Sequence, residues 1–321
     1  MYRLHPLTFL EYGDPSVLFR DTLEIEDIPT GELLVRVRAS GINTLDWKIR
    51  NGNLKAQDGF GFPKRMGCEF SGTVVEVGAD LTDDFQAGDE VFGWLPFDRL
   101  GAHSDQVLVP GHLAAKKPDR ISHWEAAALP MTGTTALRCL LDEVEDLNGK
   151  NVLIHGGSGG VGTYAVQIAK LDGAHLTATA SASYQSLLRE LRVDRPVDYQ
   201  QTNVLEETVR YDVILDCSGQ LTYADAKHLL TEHGTFLDLQ PSAGTVATSF
   251  IQNIFSNKKH DVLGITVEQT DLQRLCDLVE QRGVRIVVGE TFPMNDFRAA
   301  YEKLERNGYS YPGKAVFVNE D

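Results

Sequence analysis

One passage restricts this chain more than any other: Asn151-Val152-Leu153-Ile154-His155-Gly156-Gly157-Ser158-Gly159-Gly160-Val161-Gly162. An apolar run of strand length leads directly into Gly157, Gly159 and Gly162, which satisfy G-x-G-x-x-G. Val161, Ala165 and Ile168 then recur at helical spacing until Asp172-Gly173 stops the pattern. Each glycine answers a physical need. Gly157 permits a tight turn, Gly159 lets bare backbone approach an anion, and Gly162 lets the helix lie against the strand. The helix that opens there offers unpaired N–H groups and the positive end of its dipole to a pyrophosphate. A structural turn rich in glycine would show the same spacing. The strand before it, the helix after it and further strand–helix units downstream point instead to a dinucleotide site. Its predicted contacts are Gly157, Ser158, Gly159, Gly160, Val161 and Gly162.

The end of the next strand selects the dinucleotide. A free ribose 2′-hydroxyl usually meets an Asp or Glu about 20 residues beyond the glycines. From Gly173 to Arg189 there is no acid, and the expected position falls in Ser181-Ala182-Ser183-Tyr184. Small hydroxyls accept a 2′-phosphate that a carboxylate would repel. Ser181 and Ser183 are therefore read as cofactor contacts, and NADPH is favoured over NADH. The competing reading is that these serines only cap the helix running to Leu191.

The surrounding chain divides in character. Its first ~120 residues carry short strands with glycine and proline punctuation, as in Leu33–Ala39, Gly72–Gly78, Gly88–Gly93 and Gln106–Pro110, which predicts a small barrel or sandwich. Ser122 and Glu125 form a capping box for a helix interrupted at Pro130-Met131-Thr132-Gly133. From Asn151 strands alternate with helices, the pattern of a parallel sheet. Strands are expected at Val152–His155, Leu176–Ala180, Val213–Asp216, Thr235–Leu239 and Val262–Ile265. A helix is expected from near Thr270, capped with Gln273, to Gly283. With 321 residues the chain is long enough for two cores. A formal net charge of −16 opposes nucleic-acid binding, and no apolar run reaches the ~18 residues of a membrane span. Cys68, Cys139, Cys217 and Cys276 stand far apart, with no C-x-x-C pair for structural zinc. A disulfide framework is not expected in a chain of this size. No signal-peptide stretch follows Met1-Tyr2-Arg3-Leu4-His5-Pro6, so a reducing cytoplasm is the expected location.

Seven ordered motifs then point to a family. Gly41-Ile42-Asn43-Thr44-Leu45-Asp46, Gly67-Cys68-Glu69-Phe70-Ser71-Gly72 and Gly88-Asp89-Glu90-Val91 precede Ala127-Ala128-Leu129-Pro130 and the glycine loop. Tyr211-Asp212-Val213-Ile214-Leu215-Asp216 and Gly313-Lys314 follow. Together they resemble the medium-chain dehydrogenase/reductase superfamily, in its zinc-independent quinone oxidoreductase and enone reductase branch. The resemblance implies an α/β architecture: a GroES-like β-barrel domain (residues 1–121 and 264–321) and a Rossmann doubly wound parallel sheet domain (residues 122–263). It places the nicotinamide in the cleft between them. It also implies a homodimer, paired through edge strands near Val262–Val267.

Zinc alcohol dehydrogenases of that superfamily place a Cys where Asn43 stands and a His where Cys68 stands. Their third ligand falls near Pro130-Met131, which offers no soft donor, so no metal is expected. A quinone or activated enone is already electron-poor, and hydride can add to it without a Lewis acid. The resemblance makes Asn43 a partner for the cofactor or substrate carbonyl and Lys48 a cation for the developing oxyanion. Asp46 is expected to buttress the loop by accepting backbone or Arg50 hydrogen bonds. Thr132 falls where relatives approach the nicotinamide, and Tyr199 where they contact the 2′-phosphate. A lysine common in relatives after the second strand is absent here, where Tyr184-Gln185 stands; Arg189 is the remaining local cation. The pocket walls are expected from Asn53–Pro63 and Phe92–Gly101. The implied activity is NADPH-dependent reduction of quinones or α,β-unsaturated carbonyls. A zinc alcohol dehydrogenase with atypical ligands and a non-catalytic NADPH-binding protein are the competing readings.

Overall fold

The computed structural model describes residues 1–55, 61–239, 256–264, 266–307 and 310–319, with Thr245, Ser249 and Asn253. The chain forms two compact units, Met1–Thr134 with Thr266–Asp321, and Thr135–Ile265.

After four short strands within its first 25 residues, the largest sheet of the first unit is built on β1 (Glu32–Ile42), whose residues Leu33, Leu34, Val35 and Val37 are buried. Helix α1 (Thr44–Arg50) follows at once. Strands β2 (Glu69–Val77), β3 (Glu90–Trp94), β4 (Gln106–Pro110) and β5 (Ala114–Lys116) then build an antiparallel sheet around β1. Its core holds Leu33, Val35, Phe70, Val74, Val91 and Val109. Helix α2 (His123–Ala127) carries the expected box: the Ser122 hydroxyl accepts from the Glu125 N–H, and Glu125 accepts from the Ser122 N–H at 2.8 Å. Pro130 does not simply break this helix; it begins α3 (Pro130–Leu137), where its missing N–H costs nothing. One π-turn, Arg138–Asp142, continues it.

The second unit holds a six-stranded parallel sheet. Its strands are β6 (Asn151–His155), β7 (His175–Ala180), β8 (Arg195–Asp198), β9 (Tyr211–Asp216), β10 (Leu230–Asp238) and β11 (Lys259–Val262). Helix α4 (Gly160–Leu171) connects β6 to β7. The spatial order β8-β7-β6-β9-β10-β11 reverses direction between β6 and β9, the Rossmann arrangement with its switch point there. Leu153, Ile214, Leu229, Leu230 and Phe236 fill the core on one side of it.

Two expectations shift. Strand β8 is not visible in the sequence pattern, because Arg195, Pro196 and Asp198 break any apolar run. Pro196 is tolerated since β8 is a terminal strand of the sheet, with a ladder only to β7. The last strand lies earlier than Val262–Ile265, ending at Val262; Ile265 is outside the described residues.

The chain then returns to the first unit. Helix α6, numbered after α5 (Gln185–Glu190), spans Gln269–Glu280. Its N-cap is Glu268, whose N–H donates to Asp271 at 2.9 Å, rather than the Thr270–Gln273 pair. Gly283 adopts a left-handed φ of 73° just beyond its end. Strand β12 (Val288–Pro293), helix α7 (Phe297–Asn307) and strand β13 (Lys314–Val318) close the unit, β13 pairing antiparallel with β1. The chain thus has the implied architecture, a β-domain drawn from both ends and a doubly wound sheet between them. Phe236 is fully buried against Tyr223 and His260. Phe236→Ala is expected to lower stability by about 3–5 kcal/mol in denaturant titration.

Candidate active site

In the second unit, every loop of interest leaves the carboxyl end of a parallel strand. The turn after β6 is set by Gly156, whose φ of +85° favours glycine. The G-x-G-x-x-G spacing alone predicts Gly157 in that role. Gly157 has a different one: a Cβ there would sit 2.9 Å from the Cβ of Ala178 and 3.2 Å from Leu188. A Cβ on Gly162 would overlap the carbonyl oxygen of Gly156, so this glycine brings α4 onto the turn as expected. Gly159 differs from both. The nearest atom to its hypothetical Cβ is the Gly156 oxygen at 3.5 Å, so open space adjoins this backbone. Gly159 is also the N-cap of α4 and has no side chain with which to cap the first-turn amides. Ser158, Gly160 and Val161 beside it are partly exposed. A bare helix start with a cradle that any side chain would fill is a fit for a pyrophosphate.

Sequence reading missed the residue that holds this turn. Thr179, inside β7, accepts the Gly156 N–H on its hydroxyl at 3.0 Å and the Gly157 N–H on its carbonyl at 2.8 Å. Its hydroxyl also meets Nδ1 of His155 at 2.9 Å. Burial lowers the pKa of His155 while Asp216, its partner across the strands, opposes that shift. A Thr in an apolar strand gives no signal until the strands are paired.

Ser181 and Ser183 follow β7 directly, in a short turn where Ser181 makes no side-chain cap. Ser183 is exposed and Ser181 partly so. Tyr199 follows β8, its N–H bonded to the Ala180 carbonyl at 3.3 Å, with its side chain half exposed. These three residues therefore lie on adjacent loops. Gln185 spends its amide on the Ala180 carbonyl at 2.9 Å, and Arg189 is exposed on α5.

In the first unit, strand register gathers a second group. Ala315 pairs with Ile42, and Phe70 with Ser40, so Asn43, Glu69 and Lys314 meet at one end of β1, β2 and β13. All three are buried. The Asn43 amide donates to Glu69 at 2.9 Å and lies 3.5 Å from the Cys68 sulfur, while its oxygen accepts from Lys314. Lys314 also pairs with Glu69. The second oxygen of Glu69 accepts the Met131 N–H at 2.9 Å. Gly41 makes this possible, since a Cβ there would overlap the Glu69 carboxylate. Asp46 accepts the Asn43 N–H at 2.7 Å and so buttresses the start of α1. Arg50 does not join it; it pairs with Glu305 at 2.7 Å instead. Lys48 sits on α1 partly buried, and desolvation lowers its pKa. The Thr132 hydroxyl donates to the Ala128 carbonyl at 3.0 Å. Sequence reading named Asn43, Lys48 and Thr132 but passed over Glu69 as chemistry.

Residues 29–119 match the alcohol dehydrogenase GroES-like domain, and residues 191–316 match the zinc-binding dehydrogenase family. A chloroplastic quinone-oxidoreductase of Triphysaria versicolor is 30% identical over 283 residues, covering 85% of this chain and 86% of its own. A mitochondrial NAD(P)H oxidoreductase of Mus musculus is 30% identical over 336 residues, covering 92% and 85%. The chain belongs to the quinone oxidoreductase branch of the medium-chain dehydrogenase/reductase superfamily. Among solved structures, the quinone oxidoreductase of Coxiella burnetii superposes with a TM-score of 0.87 over 99% of both chains, at 27% identity.

Asn43 and Cys68, at two of the three implied zinc-ligand positions, are already engaged with each other, with Asn43 also bound to Glu69. Burial, reinforced by the Glu69 charge, pushes the Cys68 thiol well above its usual pKa. The neighbouring Asn43 oxygen already holds an ammonium group. Among the described residues, no group of three or more His, Cys, Asp or Glu is placed to hold a metal ion. Nor is any described helix long and apolar enough to cross a membrane.

The glycine geometry separates two substitutions. Gly159→Ala is expected to fold with a stability change within about 0.5 kcal/mol yet bind dinucleotide at least tenfold more weakly by fluorescence titration. Gly162→Ala should lower the melting temperature as well, because the helix must move off the turn.

Proposed function

We propose that this protein is an NADPH-dependent reductase of quinones or α,β-unsaturated carbonyls that works without zinc. The observation that carries the reading is the bare, cradled start of α4 at the switch point of the sheet, with no carboxylate after β7. The first-turn amides from Gly160 onward, with Ser158, would hold the pyrophosphate. Ser181, Ser183 and Tyr199 would receive the 2′-phosphate, where an acid would repel it. The name of the Mus musculus relative, an NAD(P)H oxidoreductase, supports a nicotinamide cofactor of either form. Bound NADPH supplies the hydride, the one piece of chemistry no side chain can provide.

The chain's own work is charge and position. Hydride addition to a quinone or enone leaves negative charge on the acceptor oxygen, and Lys48 is the cation proposed to stabilise it. Thr132, whose hydroxyl oxygen keeps acceptor capacity after donating to Ala128, is proposed to border the nicotinamide. Asn43 serves differently from the expectation of a carbonyl partner, since Glu69, Cys68 and Lys314 take up its amide. We assign it to anchoring α1. A homodimer paired through β11, a terminal strand of its sheet, fits the same reading and is checked by sedimentation.

Lys48 gives the test. Lys48→Met is expected to retain NADPH binding and lose turnover about 10²-fold or more with a quinone panel. The ammonium is the active form and burial lowers its pKa below 10.5, so turnover should fall as pH rises through that lowered value. Lys48→Arg should move the alkaline fall upward. Unchanged turnover in Lys48→Met removes the residue from the mechanism. Wild-type protein that fails to oxidise NADPH with any quinone or enone tested removes the function itself.

A further inference from the structure

We propose that Glu69 is a positioning residue: its single buried carboxylate, charge-paired to Lys314, fixes both the start of α1, which carries Lys48, and the start of α3, which carries Thr132. The inference rests on the reductase reading of Lys48 and Thr132. It adds a residue that touches neither substrate nor cofactor in that reading.

The geometry is that of a bridge. One oxygen, Oε1, accepts from the Asn43 amide at 2.9 Å and from Lys314. Asn43 is the N-cap of α1, and its own N–H is tied to Asp46 at 2.7 Å, so orienting Asn43 orients the first turn of that helix. The other oxygen, Oε2, accepts the N–H of Met131, the second residue of α3 and the neighbour of Thr132. Both helices thus take their starting points from the two oxygens of one group. Neither Glu69 nor Lys314 is appreciably exposed, with side chains 0% and 3% accessible. In such a setting neither charge relaxes into water, and the pair holds its geometry. The small size of Gly41 leaves room for the carboxylate between β1 and α2.

A buried ion pair is commonly replaced by apolar residues without loss of stability, whereas removing one partner leaves an unpaired charge. That asymmetry separates positioning from mere support. Glu69→Gln and Lys314→Met are each expected to lower the melting temperature, and the double variant Glu69→Gln/Lys314→Met should recover much of it. If the bridge positions the reacting groups, turnover does not recover with stability. A misplacement of about 1 Å costs on the order of 100-fold in rate. The double variant should therefore show kcat reduced roughly 10- to 100-fold, with NADPH affinity, which in that reading rests mainly on the pyrophosphate and 2′-phosphate contacts, changed less than about threefold. Lys314→Arg, which keeps the charge, should restore part of kcat.

The experiment compares melting temperature, NADPH affinity by fluorescence, and kcat against KM for a quinone in wild type, the double variant and Lys314→Arg. A folded double variant with wild-type kcat overturns the proposal. So does a double variant whose kcat and NADPH affinity fall together. Wild-type protein without quinone or enone turnover instead strikes the reductase reading on which the proposal stands.

Discussion

An ionised carboxylate taken out of water loses several kcal/mol of solvation unless its oxygens find donors and a counter-charge. Glu69 finds all of them at the junction of β1, β2 and β13. Lys314 supplies the charge, Asn43 and Met131 supply N–H groups, and Gly41 supplies the room. Removing any one of these partners leaves a buried charge or donor uncompensated, which costs several kcal/mol. A slip of β13 by one residue would turn Lys314 to the other face of the sheet and strand the carboxylate. The register of three strands and the starting points of two helices are therefore tied to one group.

The second unit depends on steric rather than electrostatic closeness. Its turn works because backbone passes where side chains would collide: Gly157 against Ala178 and Leu188, Gly162 against the Gly156 carbonyl. Thr179 then fixes two of the turn's amides from the neighbouring strand. What remains unpacked is the space beside Gly159, where the first amides of α4 point. The two units thus rest on different physics, steric closeness at the turn in one and a buried charge pair in the other.

Much of this was legible before folding was considered. The glycine loop, its flanking strand and helix, the Ser122–Glu125 box and four of the parallel strands are local patterns, each written in fewer than about 20 consecutive residues. Strand β8 was not legible, because a terminal strand with Pro196 and charged ends satisfies no local rule for a buried strand. The cap of α6 was misplaced by two residues for a similar reason: Glu268 and Asp271 perform a task that Thr270 and Gln273 were equally suited to by composition. Gly156 was overlooked because a run of adjacent glycines does not say which one takes the left-handed φ.

The sequence by itself determined the dinucleotide turn and the family, since the spacing of Gly157, Gly159 and Gly162 after an apolar strand is a contiguous constraint on backbone sterics. The helix that carries Lys48 was not among the elements it predicted. Only the tertiary structure decided which groups Asn43 and Glu69 meet. Asn43 meets Lys314 across 271 positions of chain and Met131 meets Glu69 across 62. No local pattern encodes such partners; antiparallel register and the cost of an unpaired buried charge bring them together.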